Sequence, residues 1–309
     1  MINKKIKDFK YKKGMKVSEL VENLGQVGYQ GINIGKAVET IKRMKKNKAK
    51  IFLTFTSNMT SSGLRGLFAQ LIKEKFVDVV ITTAGSIEED WMKSSNDFYV
   101  GSFHADDEKL AKEGINRIGN IYVTNKAYGS FEETIAPVIQ KIYSEHKRLT
   151  PSEFIHEVGK HIKDENSILH QATKNNIPIY CPALTDGSFG VQLNTFQQKH
   201  SDFVIDIVKD MNKIMTEADF NDEVGLIVLG GGVSKHHALM ANLINGGINY
   251  AVYITTAHEH SGSLSGATTK EAKSWGKLKS EADAVTVIGD ASVFFPLIIT
   301  KVLDDMNED

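Results

Sequence analysis

Apolar and polar positions along the chain follow two rhythms that take turns. Short runs rich in β-branched residues recur: "IFLTFT" (51–56), "VDVVITTA" (77–84), "IPIYCPA" (177–183), "VGLIVLGGG" (224–232), "YAVYITTA" (250–257) and "AVTVIGD" (284–290). Each reads as a strand with little alternation. Between them lie segments with apolar residues at helical spacing, among them "SGLRGLFAQLIKEKF", "GSIEEDWMKSS", "DFVIDIVKDMNKIM", "SKHHALMANLINGG" and a final "ASVFFPLIITKVLDDM". "SFEETIAPVIQKIYSEHKRL" and "PSEFIHEVGKHI" add helices between the second and third strands, each with a Ser or Thr ahead of an acidic turn as its cap. Strands without alternation are buried on both faces. The pattern therefore predicts an α/β fold, a mostly parallel sheet with helices on both faces. Residues 1–50 read as a mainly helical N-terminal extension, and with no shift of composition to mark a linker, residues 1–309 read as one domain.

Every predicted strand runs out into small or polar residues: "TSNMTSSG", "TTAGS", "ALTDGS", "GGG", "TTAHEHSGS" and "GDAS". In open parallel sheets, ligands lie beyond the carboxyl ends of the strands, where free backbone N–H groups meet helix N-termini. A phosphate-bearing cofactor suits such ends, although ordinary turn chemistry also selects Gly, Ser and Thr. Neither G-x-G-x-x-G after a strand nor G-x-x-x-x-G-K-[ST] occurs. Asp186 and Asp290 lie just past strands, where a carboxylate either holds ribose hydroxyls or serves as a turn or cap residue.

Composition narrows the classes. With 41% apolar and 24% charged residues, 5 Pro and 25 Gly, the chain is neither disordered nor fibrous. Its single cysteine, Cys181, excludes an intramolecular disulfide and suits a reducing cytosol. A formal net charge of −1 argues against a general nucleic-acid binder. No apolar run approaches the ~18 residues of a membrane span, and the basic start lacks the apolar stretch of a secretory signal. A cytoplasmic location is expected. His236 and His237, and His258 with Glu259 and His260, sit near strand ends but lack zinc-ligand spacing, so no metal is expected. "SWGKLK" (274–279) sets Lys277 two residues after Trp275, across a glycine. A lysine beside a large ring is desolvated and held neutral, ready to attack an electrophilic carbon; the plainer reading is a solvated helix end.

Seven stretches taken together, "TSNMTSSGLRG", "TTAGSIEED", "GINRIGN", "PALTDGS", "GGGVSKHH", "YAVYITTA" and "SGATTKEAKSWGK", resemble the deoxyhypusine synthase family. The likeness runs in order from "GYQGINIGKAVE" near 28 to "GDASVFFPLII" near 299. It implies a Rossmann-like, NAD-dependent homotetramer with active sites between paired subunits. In that family NAD takes a hydride from spermidine, and a lysine displaces 1,3-diaminopropane and carries the aminobutyl group. The group then passes to a lysine of translation initiation factor 5A.

The resemblance also assigns residues. Lys277 matches the covalent lysine, His236 the histidine at the reacting amine, and Trp275 the ring along the polyamine chain. Glu89, Glu271 and Ser265 match substrate contacts. The NAD positions fall on Ser57, Asn58, Ser61, Thr83, Ala84, Gly85, Glu88 and Asp186. They continue on Gly231, Gly232, Thr256, Ala257, Gly262, Ser263, Asp290 and Ala291. Two of the family's spermidine-binding carboxylates fall on Val191 and Leu264, an asparagine on Met240 and a glycine on Ser86, leaving Glu259, Glu89 and Glu271 to meet a polycation. Three readings follow: deoxyhypusine synthase itself, a homospermidine-synthase-like transfer to putrescine or another small amine, and a non-catalytic NAD-binding paralogue.

Overall fold

The computed structural model describes residues 5–308. Contacts group the chain into two compact units, one that runs to Thr54 and resumes at Met215, and one spanning Phe55–Ile214. The crossings fall inside the strand Lys50–Phe55 and the helix Ile207–Met215, so no change of composition accompanies them.

In the first unit the strands Leu278–Ile288, Ile248–Thr255, Val224–Leu229 and Lys50–Phe55 lie side by side in that order. Both ladders of Ile248–Thr255 are parallel, with Ala251 opposite Ala284 on one side and opposite Leu226 on the other. Ile51, Phe52, Leu226, Val228, Val252 and Ile254 are all buried, as continuous apolar strands require. The helix Gln30–Lys46 turns Ile34, Ala37, Val38, Ile41 and Met44 inward and packs on Leu278–Ile288. Val17–Leu24 and Ala291–Glu308 pack beside it. Gly25 and Gly35 meet there so closely that a Cβ on Gly35 would lie 2.7 Å from the Gly25 Cα.

The second unit is mainly helical around a short parallel pair, with Val80 opposite Ile179. Its third predicted strand shrinks to Ile179–Tyr180 because Pro178 and Pro182 flank it and have no N–H to give a ladder. "TSNMTSSG", expected as a loop, is helical: Ser57–Met59 leads through a wide turn, Thr60–Leu64, into the helix Arg65–Lys73. Gly63 at φ 101 breaks that path as only glycine does readily. Asp90, fully buried, accepts from Arg65, from the Ser167 hydroxyl (2.6 Å) and from the N–H groups of Ile168 (3.1 Å) and Leu169 (2.9 Å). It thereby satisfies the start of the helix Ile168–Asn175. A three-stranded antiparallel sheet, Tyr99–Val100, Ile121–Thr124 and Ile115–Ile118, was not expected from the sequence. Its strands are too short to show a period, and "GINRIGN" is its hairpin, turned at Gly119 (φ 60).

The close crossing of Gly25 and Gly35 makes a testable claim. Gly35→Ala is expected to cost about 1–3 kcal/mol through overpacking against backbone and to lower the melting temperature by several degrees. Gly129→Ala, in the helix Asn125–Glu145 with nothing within 4 Å of the added methyl, is expected to leave it unchanged or raise it. Thermal melts followed by circular dichroism separate the two.

Candidate functional site

The first unit assembles its chemistry around Lys277. The helix Thr269–Ser274 is capped by Thr268, whose hydroxyl accepts the Glu271 N–H (3.3 Å). It ends in paired reverse bonds: Gly276 donates to the Lys273 carbonyl (3.0 Å) and Lys277 to the Ala272 carbonyl (3.1 Å). This is the Schellman arrangement, and it needs a left-handed residue where Gly276 stands at φ 67. The Lys277 carbonyl then accepts the Ile248 N–H (3.1 Å), which hands the chain to the strand Leu278–Ile288. The glycine between Trp275 and Lys277 is thus a helix stop, and it leaves the lysine backbone bonded at both its N–H and its carbonyl. The side chain is half-buried, with its Nζ 5.4 Å from the centroid of the Trp275 ring, itself 67% exposed.

A cavity of about 30 Å³ lies beside it, bounded by Lys235, Leu264, Glu271, Trp275 and Lys277. Lys235 has no warning in the sequence, where "SK" reads as a polar helix start. It is 1% exposed, on the helix Gly232–Leu243. Its Nζ donates to the carbonyls of Leu264 (2.9 Å) and Ala267 (2.6 Å) and lies 4.5 Å from the centroid of the Tyr253 ring. Burial pushes Lys235 down to about 8; the Glu271 charge opposes that and the Lys277 charge adds to it. Burial, then Lys277, lowers His236, so it is neutral at pH 7 and able to accept a proton. Its neighbour His237 is pushed down to about 4 by burial, then by His236.

Several expected contacts turn out to hold the scaffold. The Ser265 hydroxyl accepts the Gly232 N–H (3.0 Å) and so caps the helix Gly232–Leu243 from outside. A Cβ on Gly231 would lie 2.6 Å from the Ser265 Cα, so the glycine lets the turn and the helix start meet. Asp290 accepts from the N–H and the hydroxyl of Ser292, both at 2.8 Å, as the cap of the last helix, with Ala291 buried behind it. Thr256, Gly262 and Ser263 are exposed, as is Glu259, and the Ala257 N–H is taken by the Thr255 hydroxyl (3.0 Å).

In the second unit the turns after two strands are joined. The Ser57 N–H donates to the Thr83 hydroxyl (3.1 Å), and a Cβ on Gly85 would lie 2.7 Å from the Ser57 Cβ. Thr83 therefore does not cap its own helix, Ala84–Lys93, whose first turn lacks a side-chain acceptor. The Thr60 hydroxyl is buried and has no hydrogen-bond partner. A helix start without a side-chain cap fits the phosphate of a nucleotide cofactor. Asn58 is exposed and accepts from the Thr56 hydroxyl. Ser86 is bonded to the Thr82 hydroxyl (2.6 Å).

One turn along that helix, Glu88 and Glu89 are both buried. Glu88 accepts the Phe189 N–H (3.0 Å) and Glu89 the Ser61 hydroxyl. Burial pushes Glu89 up to about 8; the Ser61 bond opposes this and the Glu88 charge adds to it. Burial also raises Glu88, against its backbone bonds, with the exposed Asp186 adding to the rise. Lys93, which the sequence did not single out, donates to the carbonyls of Thr60 (3.2 Å) and Ser61 (3.0 Å), and burial lowers it. A positive charge beside either acid would favour its charged form. Away from these residues, Glu145, His146 and Glu157 bring ligand-type atoms within 4.8 Å of one another. The Glu157 carboxylate there already holds Lys160 (2.6 and 2.7 Å).

The fold and these two clusters define a parallel α/β protein that offers a positioned amine in one unit and buried carboxylates in the other. The chain belongs to the deoxyhypusine synthase family, a family of transferases, whose model matches residues 19–302. It is 46% identical over 303 residues to a probable deoxyhypusine synthase of Schizosaccharomyces pombe, covering 93% of this chain and 87% of that one. A probable deoxyhypusine synthase of Thermococcus kodakarensis is 42% identical over 304 residues, 93% and 90% of the two chains. Among solved structures, a candidate deoxyhypusine synthase from Entamoeba histolytica superposes with a TM-score of 0.70 at 28% identity, over 97% of both chains. No helix among the described residues is long and apolar enough to cross a membrane.

The Glu89 environment sets a pH dependence. Its folded pKa lies above the ordinary 4.5, so the folded state holds a proton that the unfolded chain releases. Its contribution to stability is complete below about 4.5 and is lost as pH rises towards about 8. Glu89→Gln, which stays neutral, is therefore expected to gain stability over the native chain between pH 5 and pH 9. Denaturant titrations at both pH values measure the gap; a gap that does not widen contradicts the buried, protonated Glu89.

Proposed function

We propose that the chain is a working deoxyhypusine synthase, transferring the 4-aminobutyl group of spermidine to a lysine of translation initiation factor 5A with Lys277 as carrier. The observation that carries this reading is the Lys277 amine, its backbone fixed by the Gly276 turn, in the field of a neutral His236. NAD, when bound, accepts a hydride from the carbon beside the secondary amine of the polyamine and later returns it. In the second unit Ser57, Ser61, Thr83, Ala84 and Gly85 would hold it, at the uncapped helix start. In the first unit, Gly231, Gly232, Thr256, Ala257 and Asp290 carry the same assignment.

The remaining steps belong to the side chains. The Lys277 nitrogen attacks the oxidised carbon with its lone pair and forms a C–N bond, and His236 accepts the proton that the nitrogen gives up. The bond to 1,3-diaminopropane breaks, its electron pair stays on the departing nitrogen, and that nitrogen takes a proton. The aminobutyl group is left as an imine on Lys277 until the acceptor lysine displaces it in the same way. Trp275 presents a ring face to a cationic chain, and Glu271 supplies opposite charge. Self-assembly as a homotetramer and a cytoplasmic location complete the reading.

A second acceptor is worth testing because Leu264, an apolar side chain, lines the cavity beside Lys277. Aminobutyl transfer to putrescine would give homospermidine. Supplying the translation-factor precursor and putrescine together and identifying the product distinguishes the two.

Lys277→Arg is expected to bind NAD as the native chain does and to transfer nothing, because a guanidinium stays protonated. Borohydride trapping with labelled spermidine is expected to mark the native peptide that holds Trp275 and Lys277 and to leave the variant unlabelled. Label on Lys273 or Lys279, or transfer by the variant, would overturn the assignment.

A further inference from the structure

Leu278–Ile288 is the outermost strand of the first unit, and side chains of the helix Gln30–Lys46 finish its open edge. Thr40 and Arg43 donate to the Asp283 carboxylate (3.2 and 2.5 Å), Asn33 to the Thr286 carbonyl (3.2 Å), and the Gln30 Oε1 accepts the Ile288 N–H (2.9 Å). The Asn33 amide also donates to that Gln30 oxygen (3.3 Å) and so orients it. As the helix advances, its partners retreat along the strand. The helix therefore begins at the carboxyl end of the strand, where parallel sheets bind ligands. The Thr286 carbonyl and the Ile288 N–H, two residues apart, face the same way out of the edge, and both are taken.

The strand end is held from its inner side as well, because the Gly289 N–H donates to the Thr255 carbonyl (2.9 Å). A Cβ on Gly289 would collide with the Phe294 ring, which leaves the turn little slack. Asp290 follows at once. It is exposed, and its Oδ1 accepts both bonds from Ser292, so an approaching ribose would meet Oδ2. A shift at Ile288 thus reaches Asp290 through one closely packed glycine. The helix start, for its part, has no cap from Tyr29, which gives no side-chain bond and is 98% exposed. Tyr29 stands at φ 55, a conformation that bulky residues adopt only where their surroundings require it. The first turn is anchored to the strand through Gln30 and Asn33.

We propose that Gln30 is a positioning residue for the nucleotide: its side-chain oxygen takes the N–H of the last residue of the edge strand, and so sets the turn that presents Asp290. The proposal rests on the reading of Asp290 as a nucleotide contact. Gln30 itself acts through that turn and has no direct part in binding.

Equilibrium dialysis of the full-length protein against NAD, without polyamine, gives a Kd for each variant, alongside thermal melts. Gln30→Met keeps the length of the side chain and removes the acceptor. It is expected to raise the Kd about three- to tenfold, the worth of one hydrogen bond that holds the site in place. Thr40→Val breaks a bond at the far end of the same seam and is expected to keep the native Kd, whatever it does to the melting temperature. Asp290→Asn keeps an oxygen to cap the last helix but removes the charge, and is expected to raise the Kd at least as far as Gln30→Met. The double variant is expected to bind no more weakly than Asp290→Asn alone, since a residue that acts through another adds nothing once the other is gone. A native Kd in Gln30→Met, an equal loss in Thr40→Val, or losses that multiply in the double variant would each overturn the proposal. Should Gln30→Met fail to fold, Gln30→Ser, too short to reach Ile288, takes its place with the same expected outcomes. A native Kd in Asp290→Asn overturns the nucleotide reading of Asp290 itself, an outcome distinct from a weakened Asp290→Asn beside an unaffected Gln30→Met.

Discussion

The strand Ile248–Thr255 holds the lysine cluster at both of its ends. At its start the Ile248 N–H takes the Lys277 carbonyl (3.1 Å); at its finish the Ile254 carbonyl accepts Gly230 (2.8 Å) and the Thr255 carbonyl accepts Gly289 (2.9 Å). Midway, its Tyr253 lies under Lys235. From Tyr250 onward parallel register fixes these points together, since a slip of one residue would turn every side chain to the opposite face, while a bulge between Ile248 and Tyr250 separates them from the Lys277 bond. The glycine turn ahead of Gly232 and the start of the last helix are therefore set by the two ladders of one strand, and the helix stop at Gly276 by a bond ahead of the bulge.

The two units bear opposite burdens. In one, Lys235 is buried with only carbonyl partners; in the other, two glutamates are buried with hydrogen bonds from a serine and a backbone N–H. Neither is how a chain under selection for stability alone would spend its interior, because buried charge without a counter-ion is unfavourable. Departures of this kind concentrate where a ligand is to supply the missing partner.

The architecture was legible because continuous apolar runs and glycine stops are local signals. "SWGK" read as a helix end, though not as the left-handed turn that Gly276 makes there, and the strand ends announced where helices begin. What stayed hidden was set by tertiary context. Lys235 and Lys93 read as surface lysines until packing buries them, and their carbonyl partners lie about thirty residues away in sequence, at 264, 267, 60 and 61. Ser265 and Asp290 read equally well as ligand contacts or caps, and their hydrogen bonds put them to work as caps. The small antiparallel sheet left no period to read, and two prolines shortened a strand that composition alone would have made longer.

Glu89 has a consequence for how ligands arrive. A carboxyl group that keeps its proton up to about 8 meets an incoming ammonium as an acid. Under the proposed function, seating the cation would eject that proton to solvent, so association would become an exchange of one positive charge for another. The heat of such an exchange depends on the ionisation enthalpy of the buffer that collects the proton, and occupancy at fixed ligand concentration climbs as the medium turns alkaline. Glu89 would thus couple amine capture to the local proton concentration through a single side chain.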